Sequence, residues 1–124
     1  MASEIFKEQV LGNFKPERMG MSAKHCTLIR QCPCAACLVE PAGTIHHLKS
    51  GAAKDERGMA MRSTDKWGVP LCPKHHMQIE EAGSRNERQI FLGWGVDPHV
   101  LAKRLWDATG DLVRMIKIVK EATL

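Results

Sequence analysis

The chain has 124 residues, a formal net charge of +4 and an isoelectric point near 8.9. This length predicts one compact domain, and a composition of three Phe, three Trp and no Tyr predicts a small core that a bound metal ion would help to stabilise. The basic excess is compatible with a polyanionic partner but too small to indicate one by itself.

No segment resembles a secretory signal or a membrane span. The first residues, MASEIFKEQV, are charged and lack an apolar run, and no apolar stretch approaches the length that a bilayer requires. We therefore expect a cytoplasmic protein without a membrane partner. In a reducing compartment, the five cysteines are better interpreted as metal ligands than as disulfides.

The first part of the chain predicts two short helices and a strand. Ser3 can cap a helix over residues 3–11. Ser22 can cap a second helix over residues 23–30, although this short segment is also compatible with a strand. β-Branched residues between turn-like flanks predict a strand over residues 44–48.

A loop, a second strand and a helix are predicted next. Residues 49–66 contain Gly, Ser and many charges and predict a mobile loop, which leads into a short strand over residues 67–71. Pro73 suits the first turn of a helix because its missing N–H costs nothing there, and this helix is expected to run through Ala82 and end at Gly83.

Helices account for the remainder of the chain. Ser84 can cap a helix through about Leu92, the pair Asp97–Pro98 predicts the start of another that reaches Gly110, and Asp111 can begin the last one. The whole pattern predicts an α+β fold in which a small strand-containing core is flanked by helices.

Two pairs of residues have the spacing of zinc ligands. Cys34 and Cys37 form a C-x2-C pair, and Cys72 and His75 form a C-x2-H pair. Each pair can hold one ion from a single tight turn, and together they make a closed Cys3His set that is typical of structural zinc. We therefore predict that these four residues bind a structural Zn²⁺ ion.

The other cysteines fit this site less well. Cys32 lies two residues before Cys34, but only Cys34 has the x2 spacing to Cys37. Cys26 has no such partner in the sequence and is interpreted as an ordinary buried thiol.

A second group of residues predicts another metal site. His76 is not needed by the zinc site, and its spacing to Glu80 places both side chains on one face of a helix. His46 can supply a third ligand from the predicted strand. His46 and His47 point to opposite faces of an extended strand, so one can bind metal while the other, not bound to the ion, acts as a general base.

Three other residues have no single predicted role. Asp65 can either bind the second metal or orient His47, and an exposed loop aspartate without a function is equally compatible with its position. His25 and His99 have no partners in the sequence, and no role is predicted for either.

The segments PCAAC, TIHHLKSG and DKWGVPLCPKHHMQIEEAG together resemble the HNH endonuclease superfamily, also called ββα-metal or His-Me finger nucleases. More narrowly, the chain resembles small HNH proteins of bacteriophages and prophages, a group that includes a nuclease acting with RecA recombinase filaments. The resemblance covers about residues 34–107. It implies a ββα-metal core with a structural zinc knuckle, flanked by additional helices.

The resemblance also implies a role for each ligand. In the family, the residue before the catalytic histidine binds the metal, so His46 corresponds to a ligand and His47 to the general base. The terminal histidine of the family corresponds to His76. Relatives often have another histidine where this chain has Glu80, and this oxygen ligand favours Mg²⁺ or Mn²⁺ over Zn²⁺. The middle asparagine is absent, and Asp65 is the nearest candidate for its place.

The implied function is hydrolysis of DNA phosphodiester bonds, with phage or prophage recombination or DNA processing as the setting and a recombinase filament as a further partner. Basic side chains between the two ligand segments could hold backbone phosphates without reading bases. These residues are Lys49, Lys54, Arg57, Arg62 and Lys66. A solvated loop without a ligand would have the same composition.

Within one domain, residues 1–124, the interpretation assigns an N-terminal helical extension to 1–31, the HNH core to 32–83 and C-terminal helices to 84–124. Two alternatives without catalysis remain. The chain could be a zinc-stabilised module that binds DNA, for which the four zinc ligands suffice. It could also be an accessory factor with a degenerate site that contacts a recombinase.

Overall fold

The computed structural model describes residues 20–56 and 64–122. The predicted helix over residues 3–11 lies outside this part of the chain. The described residues form an α+β fold in which a two-stranded sheet is surrounded by helices. No helix within these ranges combines the length and apolar character needed to cross a membrane.

The first described helix, α1, spans Ala23–Gln31. The Ser22 side chain caps it by accepting a hydrogen bond from the backbone N–H of His25, which decides between the helix and strand interpretations of this segment. Ile29 is fully buried on its inner face.

The sheet consists of β1, Thr44–His47, and β2, Gly68–Leu71. The strands are antiparallel, with His46 opposite Val69 and His47 opposite Gly68. Both strands were predicted within one residue of their observed ends. The sheet sets the directions of the two adjacent imidazoles, because neighbouring side chains on a strand point to opposite faces.

The mobile loop predicted over residues 49–66 is only partly correct. Helix α2 occupies Ala52–Glu56, and Asp65–Trp67 forms a 3-10 turn directly before β2. The Trp67 indole N–H donates to Glu56 Oε2 at 2.7 Å and so joins the two ends of this segment. Long-range contacts of this kind are not visible in the local composition that predicted a loop.

Helix α3 follows β2 after one residue and spans Pro73–Ala82, with Pro73 in its first turn and Gly83 as its C-cap. This helix was predicted correctly, because the proline and glycine that bound it act through local backbone geometry.

The remaining helices are α4, Glu87–Gly93, α5, Pro98–Asp107, and α6, Leu112–Ala122. The predicted start of α4 at Ser84 is wrong, because Asn86 occupies the N-cap position after a turn. Asp97 caps α5 as predicted by accepting hydrogen bonds from the backbone N–H groups of residues 99 and 100.

One apolar core joins these helices to the sheet. Its buried side chains come from both strands and from all six of these helices. The members with the largest volumes are Phe91, Ile29, Leu48, Leu71, Leu101, Leu105 and Met115. Among the described residues, the buried polar or charged side chains are His25, His46 and Glu87, and each therefore requires an explanation.

Candidate functional site

The four predicted zinc ligands lie together. Cys34 and Cys37 occupy the turn after α1, and Cys72 and His75 lie at the start of α3, with all four ligand atoms within 4.8 Å of one another. His75 Nδ1 is 3.1 Å from Cys72 Sγ and 3.9 Å from Cys34 Sγ. A tetrahedral zinc ion separates its ligand atoms by about 3.5–3.8 Å, given its bond lengths to sulfur and nitrogen. This set could therefore hold a Zn²⁺ ion with small adjustments.

The electrostatics of this cluster favour a thiolate. Burial opposes ionisation of Cys72, but hydrogen bonds from the backbone and ring of His75 and from the thiols of Cys34 and Cys37 lower its pKa to about 6. Burial, by contrast, raises the pKa of Cys34. An ionised Cys72 provides the first thiolate to which a metal cation can bind.

Cys32 lies outside this cluster although it is fully buried. Burial and the nearby charge of Glu40 raise the pKa of Cys32 to about 12, so it remains a neutral thiol. The geometry agrees with the choice of Cys34 over Cys32 that the spacing predicted.

The three predicted ligands of the second metal also lie together. The ligand atoms of His46, His76 and Glu80 are within 4.8 Å of one another. Glu80 Oε1 is 3.5 Å from His46 Nδ1 and 3.4 Å from His76 Nε2. His46 is 1% exposed, and its Nδ1 atom is buried without a hydrogen-bond partner. A buried nitrogen left unpaired beside a carboxylate and a second imidazole is well suited to a metal ion.

The charge states of this group also suit a cation. A hydrogen bond from Lys49 outweighs burial and lowers the pKa of Glu80, so its carboxylate is ionised at neutral pH. Burial and the neighbouring His46 lower the pKa of His76, which keeps that imidazole neutral. Metal binding needs both states, because a protonated imidazole has no free lone pair and a protonated carboxyl group has no negative charge to attract a cation.

Glu87 belongs to this site although the sequence did not predict it. It lies in the first turn of α4, is 0% exposed and contacts His46 Nε2 through Oε2 at 2.8 Å. Burial raises the pKa of Glu87, but hydrogen bonds from His46, Ser50 and Lys49 outweigh it and the net shift is downward. Its only local signal was an acidic residue near a helix start, which is common on protein surfaces.

His47 lies on the other side of the strand and contacts Asp65. His47 Nε2 is 2.7 Å from Asp65 Oδ1, and the backbone N–H of Ser22 donates to Asp65 Oδ2 at 2.8 Å. Burial raises the pKa of Asp65, but hydrogen bonds from His47, Ser22 and Cys26 outweigh it and lower the pKa. Asp65 is therefore an anion that accepts hydrogen bonds through both oxygens.

The position of Asp65 bears on its two predicted roles. It lies outside the cluster of His46, His76 and Glu80 and instead forms a group with His47 and Cys26. These three could in principle hold an ion, but the carboxylate already has hydrogen-bond donors on both oxygens. We therefore interpret Asp65 as a residue that orients His47. Asp65 is also a polar partner for Cys26, which the sequence did not indicate.

The predicted phosphate-binding side chains have varied surroundings. Lys49 Nζ is 2.8 Å from Glu80 Oε2, and Lys66 Nζ is 2.9 Å from Glu56 Oε1. Lys54 is exposed, whereas Arg57 and Arg62 lie outside the described residues. Lys49 is thus placed directly beside the candidate metal centre.

The two histidines without a predicted role both have structural contacts. His25 Nδ1 is 2.8 Å from Thr109 Oγ1, and the His25 ring packs edge-on against Trp106. His99 Nε2 donates to the backbone oxygen of Ser50 at 2.7 Å. Both histidines therefore connect α5 or the turn after it to other parts of the fold.

The chain was compared with protein families, curated proteins and solved structures. No family model matches the chain, and no significant match is found among curated proteins or solved structures. Function is therefore inferred from the residues and their geometry.

Proposed function

We propose that this protein is a metal-dependent endonuclease of the HNH type that hydrolyses DNA phosphodiester bonds. The observation that carries the proposal is the unpaired, buried Nδ1 of His46 within a His46–His76–Glu80 cluster, next to a histidine that is hydrogen-bonded to a carboxylate. These are the parts that metal-assisted hydrolysis requires: ligands for a cation and a positioned base.

His46, His76 and Glu80 would hold the divalent cation, with Mg²⁺ or Mn²⁺ favoured over Zn²⁺ by the carboxylate. When bound, such an ion supplies electrostatic stabilisation of the charge that develops on a phosphate. The separate Cys3His cluster would hold a structural Zn²⁺ ion and so fix the start of α3, from which His76 and Glu80 project.

His47 would accept a proton from the attacking water. A neutral imidazole suits this task because its ordinary pKa lies near working pH. Asp65 would hold the ring in one orientation and stabilise the imidazolium that forms. The backbone N–H of Ser22 in turn fixes the Asp65 carboxylate.

Lys49 would bind a backbone phosphate next to the cation. Its ammonium group is paired with Glu80, and both side chains are partly exposed, at 40% and 45%. A cation bound to Glu80 would compete with this ion pair, and the Lys49 ammonium group lies close enough to contact an anionic ligand of that cation. Contacts of this kind fix the DNA backbone without reading its sequence. A recombinase filament remains a proposed partner.

The second candidate function is a zinc-stabilised DNA- or recombinase-binding accessory module without catalysis. The Lys49–Glu80 ion pair favours it, because this pair satisfies one of the three proposed ligands without a metal. Counting bound metal separates the two functions. One tightly bound zinc per chain supports the module, whereas an additional exchangeable ion supports the enzyme.

The decisive experiment is nicking of supercoiled plasmid by the wild-type chain and by His47→Ala, each with Mg²⁺, Mn²⁺ and Zn²⁺. We expect His47→Ala to fold, to retain its metal and to cleave at least about a hundredfold more slowly, which is the lower end for loss of a general base. Metal content and circular dichroism of the variant are the controls.

Two results would contradict this proposal. Cleavage by His47→Ala at nearly the wild-type rate would assign the base to another residue. Absence of cleavage by the wild-type chain with all three metals, together with a single zinc per chain, would favour the accessory module.

A further inference from the structure

Glu87 is a carboxylate buried inside the protein that nothing in the proposed chemistry uses directly. Its two oxygens face four groups: the ring nitrogen Nε2 of His46 at 2.8 Å, the backbone N–H of Lys49 at 2.9 Å, the backbone N–H of Ser50 at 3.1 Å and the Ser50 hydroxyl at 2.6 Å. A buried charge is costly unless hydrogen bonds replace its hydration. So complete a set of donors indicates that this position is built to hold an anion.

This contact determines which nitrogen of His46 carries the proton. An ionised carboxylate can only accept a hydrogen bond, so the proton of a neutral His46 ring must lie on Nε2. The lone pair then lies on Nδ1, which is the buried atom without a hydrogen-bond partner beside Glu80. Phe91 of the same helix packs against the ring with centroids 6.1 Å apart and helps to hold its plane.

We propose that Glu87 is a positioning residue that fixes His46 with its lone pair directed toward the metal and joins this centre to the backbone of Lys49 and Ser50. The inference rests on the metal centre of the proposed function. A carboxylate behind a ligating histidine orients the ring and increases its basicity, and loss of such a partner weakens metal binding by about 10–100-fold.

The backbone contacts give Glu87 a second effect. Glu87 accepts hydrogen bonds from the backbone N–H groups of Lys49 and Ser50 and also contacts Nε2 of His46, so one carboxylate links the candidate ligand to this loop. Ordering of His46 by a bound cation should therefore also order residues 49 and 50. Metal binding and the shape of the predicted phosphate-binding loop become coupled through one side chain.

The first test needs no variant. In the zinc-loaded wild-type protein, ¹⁵N spectra of the imidazoles report which ring nitrogen carries the proton. We expect His46 to be protonated on Nε2 and not on Nδ1. A proton on Nδ1 would overturn the inference, whether or not the protein is a nuclease.

The second test compares Glu87→Gln with Glu81→Gln, which removes the same charge from an exposed position on α3. An amide offers one acceptor oxygen where the carboxylate offers two, and it directs N–H donors at groups that are themselves donors. We expect Mn²⁺ binding to the zinc-loaded protein, followed by electron paramagnetic resonance, to weaken at least about tenfold in Glu87→Gln. Glu81→Gln should bind as the wild type does.

The remaining outcomes separate this inference from the proposed function. Equal Mn²⁺ affinity of folded Glu87→Gln and the wild type overturns the inference alone. If the wild type binds no Mn²⁺, the metal centre of the proposed function fails, and the imidazole spectrum still decides the role of Glu87.

If Glu87→Gln does not fold, Ser50→Ala removes only the 2.6 Å contact. It should bind Mn²⁺ more weakly than the wild type, and unchanged affinity would count against the coupling.

The coupling has its own measurement. Hydrogen exchange at the amides of Lys49 and Ser50 should slow when Mn²⁺ is added to the wild type, since both amides donate to Glu87. Exchange that is unaffected by a saturating metal concentration would remove the coupling and leave only the orientation of His46.

Discussion

At the scale of single residues, buried polar groups cluster at the candidate functional site. His46 and Glu87 are buried as a hydrogen-bonded pair, and His47 and Asp65 form a second pair with little exposure. Each pair joins an imidazole to an ionised carboxylate. Because a carboxylate fixes the tautomer of the histidine that it contacts, the two adjacent imidazoles are prepared for different tasks.

His25 has a different role, because it is a buried histidine that stays neutral. Burial lowers the pKa of His25 from 6.5 to about 4, partly opposed by Asp65. The unfolded chain therefore takes up a proton below about pH 6.5, whereas the folded protein does so only near pH 4. This difference opposes folding progressively as the pH falls through that range.

We predict that His25→Leu removes this pH dependence. Between pH 7.5 and pH 5, the wild type should lose about 2 kcal/mol of unfolding free energy relative to the variant, by the linkage between proton binding and folding. Urea denaturation of both proteins at both pH values measures the difference, and the zinc site is common to both. If the difference in unfolding free energy between the wild type and His25→Leu does not change with pH, the pKa of His25 is the same in the folded and unfolded states.

At the scale of elements, α3 serves both candidate centres. His75 and His76 are adjacent and so lie about 100° apart around the helix axis, which directs one ring to the cysteines and the other to His46. Aromatic side chains of α4 and of its C-cap residue pack against histidines of both centres. Phe91 packs near the ring of His46, and Trp94 packs edge-on against the ring of His75.

We predict that loss of the zinc cluster disrupts the site as well as the fold. Structural zinc contributes about 10–16 kcal/mol to the folding of small modules, whereas a domain has a net stability of about 5–15 kcal/mol. A strong chelator or Cys37→Ser should therefore abolish the near-UV dichroism, to which Trp94 contributes, together with the proposed nuclease activity.

Cys32→Ala is the matched control for this prediction, because Cys32 is a neighbouring buried thiol outside the cluster. It should retain one zinc per chain by elemental analysis and lose only packing energy. A Cys37→Ser protein that keeps its dichroism and activity without zinc would disprove the structural role.

At the scale of the whole molecule, the C-terminal helices are part of the site. Residues 32–83 include all seven predicted metal ligands, but Glu87 and Phe91 enter from α4. Helices α5 and α6 add Leu101, Leu105 and Met115 to the same core that the strands line. The proposed metal centre thus depends on parts of the chain beyond the predicted HNH core.

We predict that a chain ending at Gly83 retains every predicted ligand but not a working centre. It lacks the carboxylate that orients His46 and much of the apolar surface that the sheet buries, so it should be largely unfolded and bind no second metal. The chemical-shift dispersion of the NMR spectrum measures folding, and the number of metal ions per chain measures binding, with the full chain as the reference. A well-dispersed spectrum with two bound metals would show that residues 1–83 suffice.

The sequence alone determined those features that depend on neighbours in the chain. Ser22, Asp97 and Gly83 fix helix ends through local hydrogen bonds or backbone geometry, and the x2 spacings of the zinc pairs reflect the size of a tight turn. The His76–Glu80 pair follows from the helix repeat in the same way. The predicted activity and substrate stay predictions.

Only the tertiary structure decided which groups meet across long distances in the chain. Glu87 lies 41 residues from His46, and Asp65 lies 43 residues from Ser22. An acidic residue at a helix start or in a loop has the same local pattern whether it is solvated or buried. The side chains that exclude water from such a carboxylate, and the groups that donate hydrogen bonds to it, belong to other elements. Its role therefore arises only when packing has brought those elements together.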